Sequence, residues 1–303
     1  MATRPHPWQP CSIVLDLSRG VDPRRLQSAI EWANTAYYAC NVCPENCGIN
    51  RHEGEVGFCG LGADAYVYKE YLHMGEESAL TPSHTVFLSG CNFRCAFCSD
   101  MGPVKSPTRH GFRLSPEKLA ARIALRRKQG ATNVNFVGGL PDVNVLFILR
   151  TLDACPADTH VVFNTNLWTT QHAIERLSGI VGTWLVDFKF GSDRCAKKLS
   201  GTAQYTEHMQ ALLPLVEKNA NALVRHLIMP GHLECCTRPV FEWLSTNMPH
   251  NPVNVMTHYH PFGMAAGRSA MSGPNSQEDV NIVLALAEQI GLRYITNGVD
   301  AVR

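Results

Sequence analysis

The sequence predicts an α/β protein, an open partial (β/α)6 barrel with a small cysteine-rich metal knuckle on its N-terminal side. Two observations predict it. From His84 onward, short apolar runs alternate with helical patterns, the mark of βα units whose helices cover a parallel sheet. Seven of the twelve cysteines fall in two tight groups, within 40–59 and 91–98, an arrangement that suits metal ligands better than disulfides in a chain of this size. Six units are too few for the eight of a closed barrel.

Composition narrows the function. With 303 residues, 45% hydrophobic and 17% charged, the chain can bury a full core. Lys+Arg of 27 against Asp+Glu of 26 leaves a net charge of +1, so no global field favours nucleic acid or an anionic membrane, and neither is an expected partner. The basic run Arg126-Arg127-Lys128 reads as cations complementing a helix C-terminus. No apolar run approaches the ~20 residues of a membrane span, and Met1 to Trp8 lack a basic stretch followed by an apolar one. The expected compartment is the reducing cytoplasm.

Three segments are expected: an arm and helix over 1–39, the knuckle and a linker over 40–80, and the barrel over 81–303. Pro5, Pro7, Pro10 and Gly20 imply an irregular arm, and Asp22-Pro23 starts a helix running to Tyr38. Leu26, Ile30, Ala33 and Tyr37 recur at helical spacing, which makes Trp32 and the Tyr37-Tyr38 pair packing groups. Cys40, Cys43, Cys47 and Cys59 follow at C-x2-C-x3-C-x11-C, interleaved with turn-forming glycines. Four thiolates suit zinc and an auxiliary iron-sulfur cluster alike, and buried metal-free thiols are the alternative. Lys69 to Glu77 reads as a linker, with His73 as a surface group.

The expected strands are 85–88, 133–137, 161–163, 184–188, 223–228 and 253–256. Helices are expected near 115–129, 142–152, 170–179, 205–219 and 236–247, with another over 277–290. On such a scaffold function gathers at the C-terminal ends of the strands. After the first strand comes Cys91-x3-Cys95-x2-Cys98 with Phe97 before the third cysteine. Three thiolates on one loop can hold three corners of a [4Fe-4S] cluster and leave one iron free for a non-protein ligand. Gly138-Gly139 follows the second strand and lets backbone approach a ligand. Asn164-Thr165-Asn166 ends the third. Asp187 and Lys189, two apart at the end of the fourth, share a face and can pair. Arg225 and His226 lie on the fifth, and His258 to His260 follow the sixth.

The C-x3-C-x2-C loop with its aromatic residue resembles the radical S-adenosylmethionine (SAM) superfamily. The knuckle, His73-Met74-Gly75-Glu76-Glu77, Asp187-Phe188-Lys189 and Pro230-Gly231-His232-Leu233-Glu234-Cys235-Cys236 look like its pyruvate formate-lyase-activating-enzyme-like family, the likeness running from about 40 to 262. The resemblance implies a [4Fe-4S] cluster on Cys91, Cys95 and Cys98, with SAM chelating the open iron beside Phe97. It places Gly138 and Gly139 at the SAM amino group; because Leu140 stands where that family has an acid, the contact there falls to backbone carbonyls or Asp142. It assigns SAM contacts to Lys189, Arg225 and His260, and puts Asp187 and Thr165 near the SAM carboxylate or an associated cation. The implied activity is reductive cleavage of SAM, fed by a one-electron donor such as flavodoxin or ferredoxin. The resulting 5′-deoxyadenosyl radical takes hydrogen from a protein, peptide or small molecule, activation of a glycyl radical enzyme being one subtype. The competing reading is a non-catalytic, metal-stabilised binding module. Cys235 and Cys236 are expected to be adjacent buried thiols, with a catalytic hydrogen donor as the alternative.

Overall fold

The computed structural model describes residues 13–75, 77–267 and 269–296, so Pro5, Pro7 and Pro10 of the expected arm lie outside the described residues. The chain runs α1 Pro23–Ala36, β1 Tyr66–His73, β2 Ser83–Leu88, α2 Met101–Lys105, α3 Pro107–His110, β3 Phe112–Arg113, α4 Pro116–Lys128, β4 Asn133–Gly138 and α5 Val145–Asp153. It continues β5 Val161–Thr165, α6 Gln171–Leu177, β6 Thr183–Asp187, α7 Asp193–Ser200, α8 Tyr205–Asn219, β7 Asn221–Leu227, α9 Arg238–Asn247, β8 Val253–Met256, α10 Gln277–Gln289 and β9 Tyr294–Thr296. All six expected strands form.

One sheet holds every strand, in the order β3-β1-β2-β4-β5-β6-β7-β8-β9. From β2 to β9 neighbours are parallel, whereas β1 joins β2 and β3 antiparallel. The two ends do not pair among the described residues, so the barrel is incomplete. Every residue of β5 is buried, as expected of a strand covered on both faces. α1 starts where Asp22 accepts the Arg24 and Arg25 N–H groups and Pro23 opens the first turn. Its Leu26, Ala29 and Ala33 share a core cluster with the knuckle's Cys40 and Cys59 and the sheet's Phe136 and Trp184.

Several expectations need correction. The supposed linker contains β1, and its charged residue explains why the strand was hidden. The Glu70 side chain is 3% exposed, with His84 Nε2 2.8 Å and Arg126 Nη2 3.1 Å from its carboxylate and Arg122 also bonded. Burial raises the Glu70 pKa, but hydrogen bonds from Arg126, Arg122 and His84 outweigh it and hold the group at about 2. The basic run of α4 is therefore spent on specific acids: Arg126 on Glu70, and Arg127 on Asp158 at 2.8 Å. The sheet also has a seventh parallel strand, β9, and the short helices α2, α3 and α7 were not foreseen. Tyr37 is buried as expected, but Tyr38 is 58% exposed, its ring against His52.

Gly139 shows how tightly the upper rim is built. A Cβ there would stand 1.8 Å from the Gly90 carbonyl oxygen, backbone that has nowhere to go. Gly138 adopts φ +98°, and a Cβ there would stand 2.7 Å from the Leu88 carbonyl oxygen. The paired glycines thus serve the contact between the ends of β2 and β4. Gly139→Ala is expected to cost about 3 kcal/mol, the upper end for overpacked interiors, read as a lowered urea midpoint; an unchanged midpoint would show that the rim can spread.

Candidate active site

A cavity of about 370 Å3 opens at the C-terminal ends of the parallel strands, within the usual range for small-molecule sites. Cys91, Cys95 and Cys98 lie on its wall. So do all eight residues to which the resemblance gave SAM contacts: Phe97, Gly138, Gly139, Thr165, Asp187, Lys189, Arg225 and His260.

The charges are organised around Asp187. Lys189 Nζ donates to one carboxylate oxygen at 2.6 Å and Arg225 Nε to the other at 2.7 Å, while Arg225 Nη2 also reaches Asn164 Oδ1. Burial raises the Asp187 pKa, but Arg225 and Lys189 together overcome this and hold it at about 2. The peptide between the pair is fixed by Tyr205, whose hydroxyl accepts the Lys189 N–H at 2.9 Å and donates to the Asp187 carbonyl at 3.3 Å. Tyr205 carried no signal in the sequence, because it opens a helix that follows the site.

The cysteine loop is held from three sides. The Arg94 and Ala96 N–H groups donate to the Ser200 and Leu199 carbonyls at the end of α7, at 3.0 and 2.7 Å. Asn92 Nδ2 donates to the Trp168 carbonyl at 2.7 Å. From the knuckle, the Cys59 carbonyl accepts the Cys91 N–H at 3.1 Å, and the Phe58 carbonyl accepts Arg94 Nη2. Phe97 packs edge-on against Phe190 and Tyr259. Burial pushes the Cys95 thiol up to about 12 against the pull of Lys189, and it raises Cys91 and Cys98 as well. Thiolates here need cationic partners such as cluster irons.

Two other residues lie apart from the cavity. Asp142 is 3% exposed and absent from the wall: it accepts Thr165 Oγ1, its other oxygen has no partner, and burial lifts its pKa to about 6. His226, noted beside Arg225, points into the fold between the Phe188 carbonyl and Thr237 Oγ1, where burial lowers its pKa to about 4.

The knuckle packs directly on the loop. Glu45 accepts Trp168 Nε1 at 3.0 Å, and Arg51, 2% exposed beneath the Tyr37 ring, donates to the Val143 and Gly62 carbonyls. Cys40, Cys43 and Cys59 are buried and Cys47 is partly so. Four thiols in this setting suit zinc and an iron-sulfur cluster alike. Cys235 is only partly buried, which corrects the expectation of two buried thiols, and neither it nor Cys236 reaches the cavity wall.

Residues 85–244 match the radical SAM superfamily. The chain is also 36% identical, over 280 residues, to uncharacterized protein MJ0674 of Methanocaldococcus jannaschii, covering 91% of this chain and 82% of that one. The chain belongs to the radical SAM superfamily. Among solved structures it is similar to Streptococcus suis SuiB bound to S-adenosylmethionine, at TM-score 0.49 and 14% identity, covering 68% of this chain and 48% of SuiB. A radical SAM methyltransferase from Sphaerobacter thermophilus gives TM-score 0.49 and 15% identity, over 71% of this chain and 66% of that one. A domain of pyruvate-formate lyase-activating enzyme from Bacteroides vulgatus gives 0.43 and 14%, over 54% of this chain and 98% of that one. Among the described residues no helix is long and apolar enough to cross a membrane.

Proposed function

We propose that this protein is an enzyme that reductively cleaves SAM and uses the resulting radical to take hydrogen from a protein, peptide or small-molecule substrate. One observation carries the reading: Cys91, Cys95 and Cys98 share a single cavity wall with the Asp187–Lys189–Arg225 ion cluster. When bound, a [4Fe-4S] cluster and SAM supply one-electron cleavage to methionine and a 5′-deoxyadenosyl radical.

The chain's own residues then bind and shelter. Cys91, Cys95 and Cys98 would hold the cluster, three thiolates for its four irons. Lys189 and Arg225 present positive charge to the SAM carboxylate, with Asp187 fixing both in place. Gly138 and Gly139 offer backbone oxygens to the amino group, and Phe97 with Tyr259 keeps water from the reacting centre. Thr165 and His260 complete the wall. The four knuckle cysteines would hold zinc or an auxiliary iron-sulfur cluster. A small one-electron donor, flavodoxin or ferredoxin in kind, feeds the site in the cytoplasm.

The rim supports a polypeptide substrate. Phe262 lines the cavity and is 49% exposed, with Met264 at 50% close by, so an apolar lip borders the polar floor. Activation of a glycyl radical partner is one form of that chemistry. Anaerobic reconstitution with iron and sulfide, followed by SAM and dithionite, is expected to release 5′-deoxyadenosine and methionine in equal amounts. A full cluster with no cleavage would instead favour a binding module.

A further inference from the structure

We propose that Cys195, His232, Cys235 and Cys236 form a zinc site, separate from the cavity and from the knuckle. Among the described residues this is the one group of three or more His, Cys, Asp or Glu residues whose ligand atoms all lie within 4.8 Å of one another. Cys195 Sγ is 3.4 Å from Cys235 Sγ, and His232 Nδ1 is 3.6, 3.3 and 3.9 Å from the sulfurs of Cys195, Cys235 and Cys236. A tetrahedron with Zn–S of about 2.3 Å and Zn–N of about 2.05 Å has edges of roughly 3.8 Å between sulfurs and roughly 3.6 Å between sulfur and nitrogen. The three sulfur–nitrogen distances bracket their edge, and the sulfur–sulfur distance of 3.4 Å falls a few tenths of an ångström short of its own. They are too short for an iron-sulfur cube with one sulfur per iron, and three thiols with an imidazole are a soft set that selects zinc over magnesium or calcium.

The backbone is shaped to bring these groups together. Leu233–Thr237 is a π-helical turn, in which the Thr237 N–H reaches the His232 carbonyl at 3.3 Å. Such wide turns are uncommon and gather at functional sites. The turn sets His232, Cys235 and Cys236 on one side. Cys195 comes from the first turn of α7, where the Ser192 hydroxyl accepts its N–H. The two segments meet at Gly191, where a Cβ would stand 2.4 Å from the Cys236 carbonyl oxygen. Only glycine permits that approach. Lys198 and Arg194 lie within electrostatic range and offset the excess negative charge of three thiolates on a divalent ion.

The site has a role in the architecture. α7 carries Cys195 near its start and, at its end, the Leu199 and Ser200 carbonyls that hold the cysteine loop. Zinc bridging α7 to the turn after β7 would fix the helix on which that loop rests.

The test counts zinc in full-length protein purified anaerobically with zinc present, comparing wild type with Cys235→Ser and His232→Gln, both at partly exposed positions. Each variant is expected to hold one equivalent less than wild type, and cobalt added to chelator-treated wild type is expected to give a thiolate charge-transfer band that the variants lack. A second measurement needs no variant: alkylation of Cys235 in wild type is expected to accelerate roughly tenfold or more once a chelator strips the metal, as the thiolate becomes free. Equal zinc in all three proteins, a chelator-independent alkylation rate, or a Cys195–Cys235 disulfide in the purified protein would overturn the proposal.

Discussion

Cys95→Ala is expected to bring 5′-deoxyadenosine release close to background and to lower bound iron, with little change in fold. The substitution removes one of three pocket-facing sulfurs. The loop keeps its backbone supports, because the Ala96 and Arg94 N–H groups and the Cys91 N–H still find the carbonyls of Leu199, Ser200 and Cys59. Losing a group that merely orients a metal ligand costs ~10–100-fold, so losing a ligand should exceed roughly a hundredfold. Cys155→Ala is the control: that thiol is partly buried, away from the cavity wall, and should leave the rate unchanged. Product formation by Cys95→Ala within tenfold of wild type would show that the cavity is not where SAM is cleaved.

The second large effect concerns Asp187. Its two oxygens each hold one cation, at 2.6 and 2.7 Å, with the three side chains between 14% and 24% exposed. Asp187→Asn leaves Lys189 and Arg225 facing each other without a counter-charge. The expected loss is roughly 3 kcal/mol at pH 7, at the lower end for breaking a buried pair because water still reaches the rim. The pH dependence has a definite sign. The folded value of about 2 lies below the ordinary 3.8, so the stabilisation is fully present above about pH 4 and is lost as pH falls toward 2. That linkage is worth roughly 2 kcal/mol at 1.36 kcal/mol per unit. Urea melts of both proteins at pH 7 and near pH 2 should therefore show a gap that narrows with acid. A constant gap would assign the effect to lost packing instead of charge.

What the sequence disclosed, and what it hid, follows from how local each signal is. The cluster cysteines sit within eight residues, and Asp187 and Lys189 are two apart where β6 ends, so spacing alone suggests that they act together. The parallel strands were legible because burial on both faces leaves nearly unbroken apolar runs, as in β5. β1 was not, because Glu70 looks like a linker residue until His84 and Arg126 arrive from 14 and 56 positions away. The Thr165 partner of Asp142 was equally hidden, because it arrives from 23 positions away. Cys195 was invisible as a ligand, since its partners begin 37 residues later and meet it only through the Gly191 contact.

The docking of the knuckle on the loop also bears on how this chain can be dissected. Gly90 stands against the Cys59 carbonyl, and a Cβ there would lie 2.9 Å from that oxygen and 2.6 Å from Leu61. Residues before the barrel therefore act as the floor on which the reactive loop is cast. Trimming the chain to the stretch that looks self-sufficient would leave the Phe58 and Cys59 carbonyls behind, and the smallest piece expected to hold the loop in place must include them.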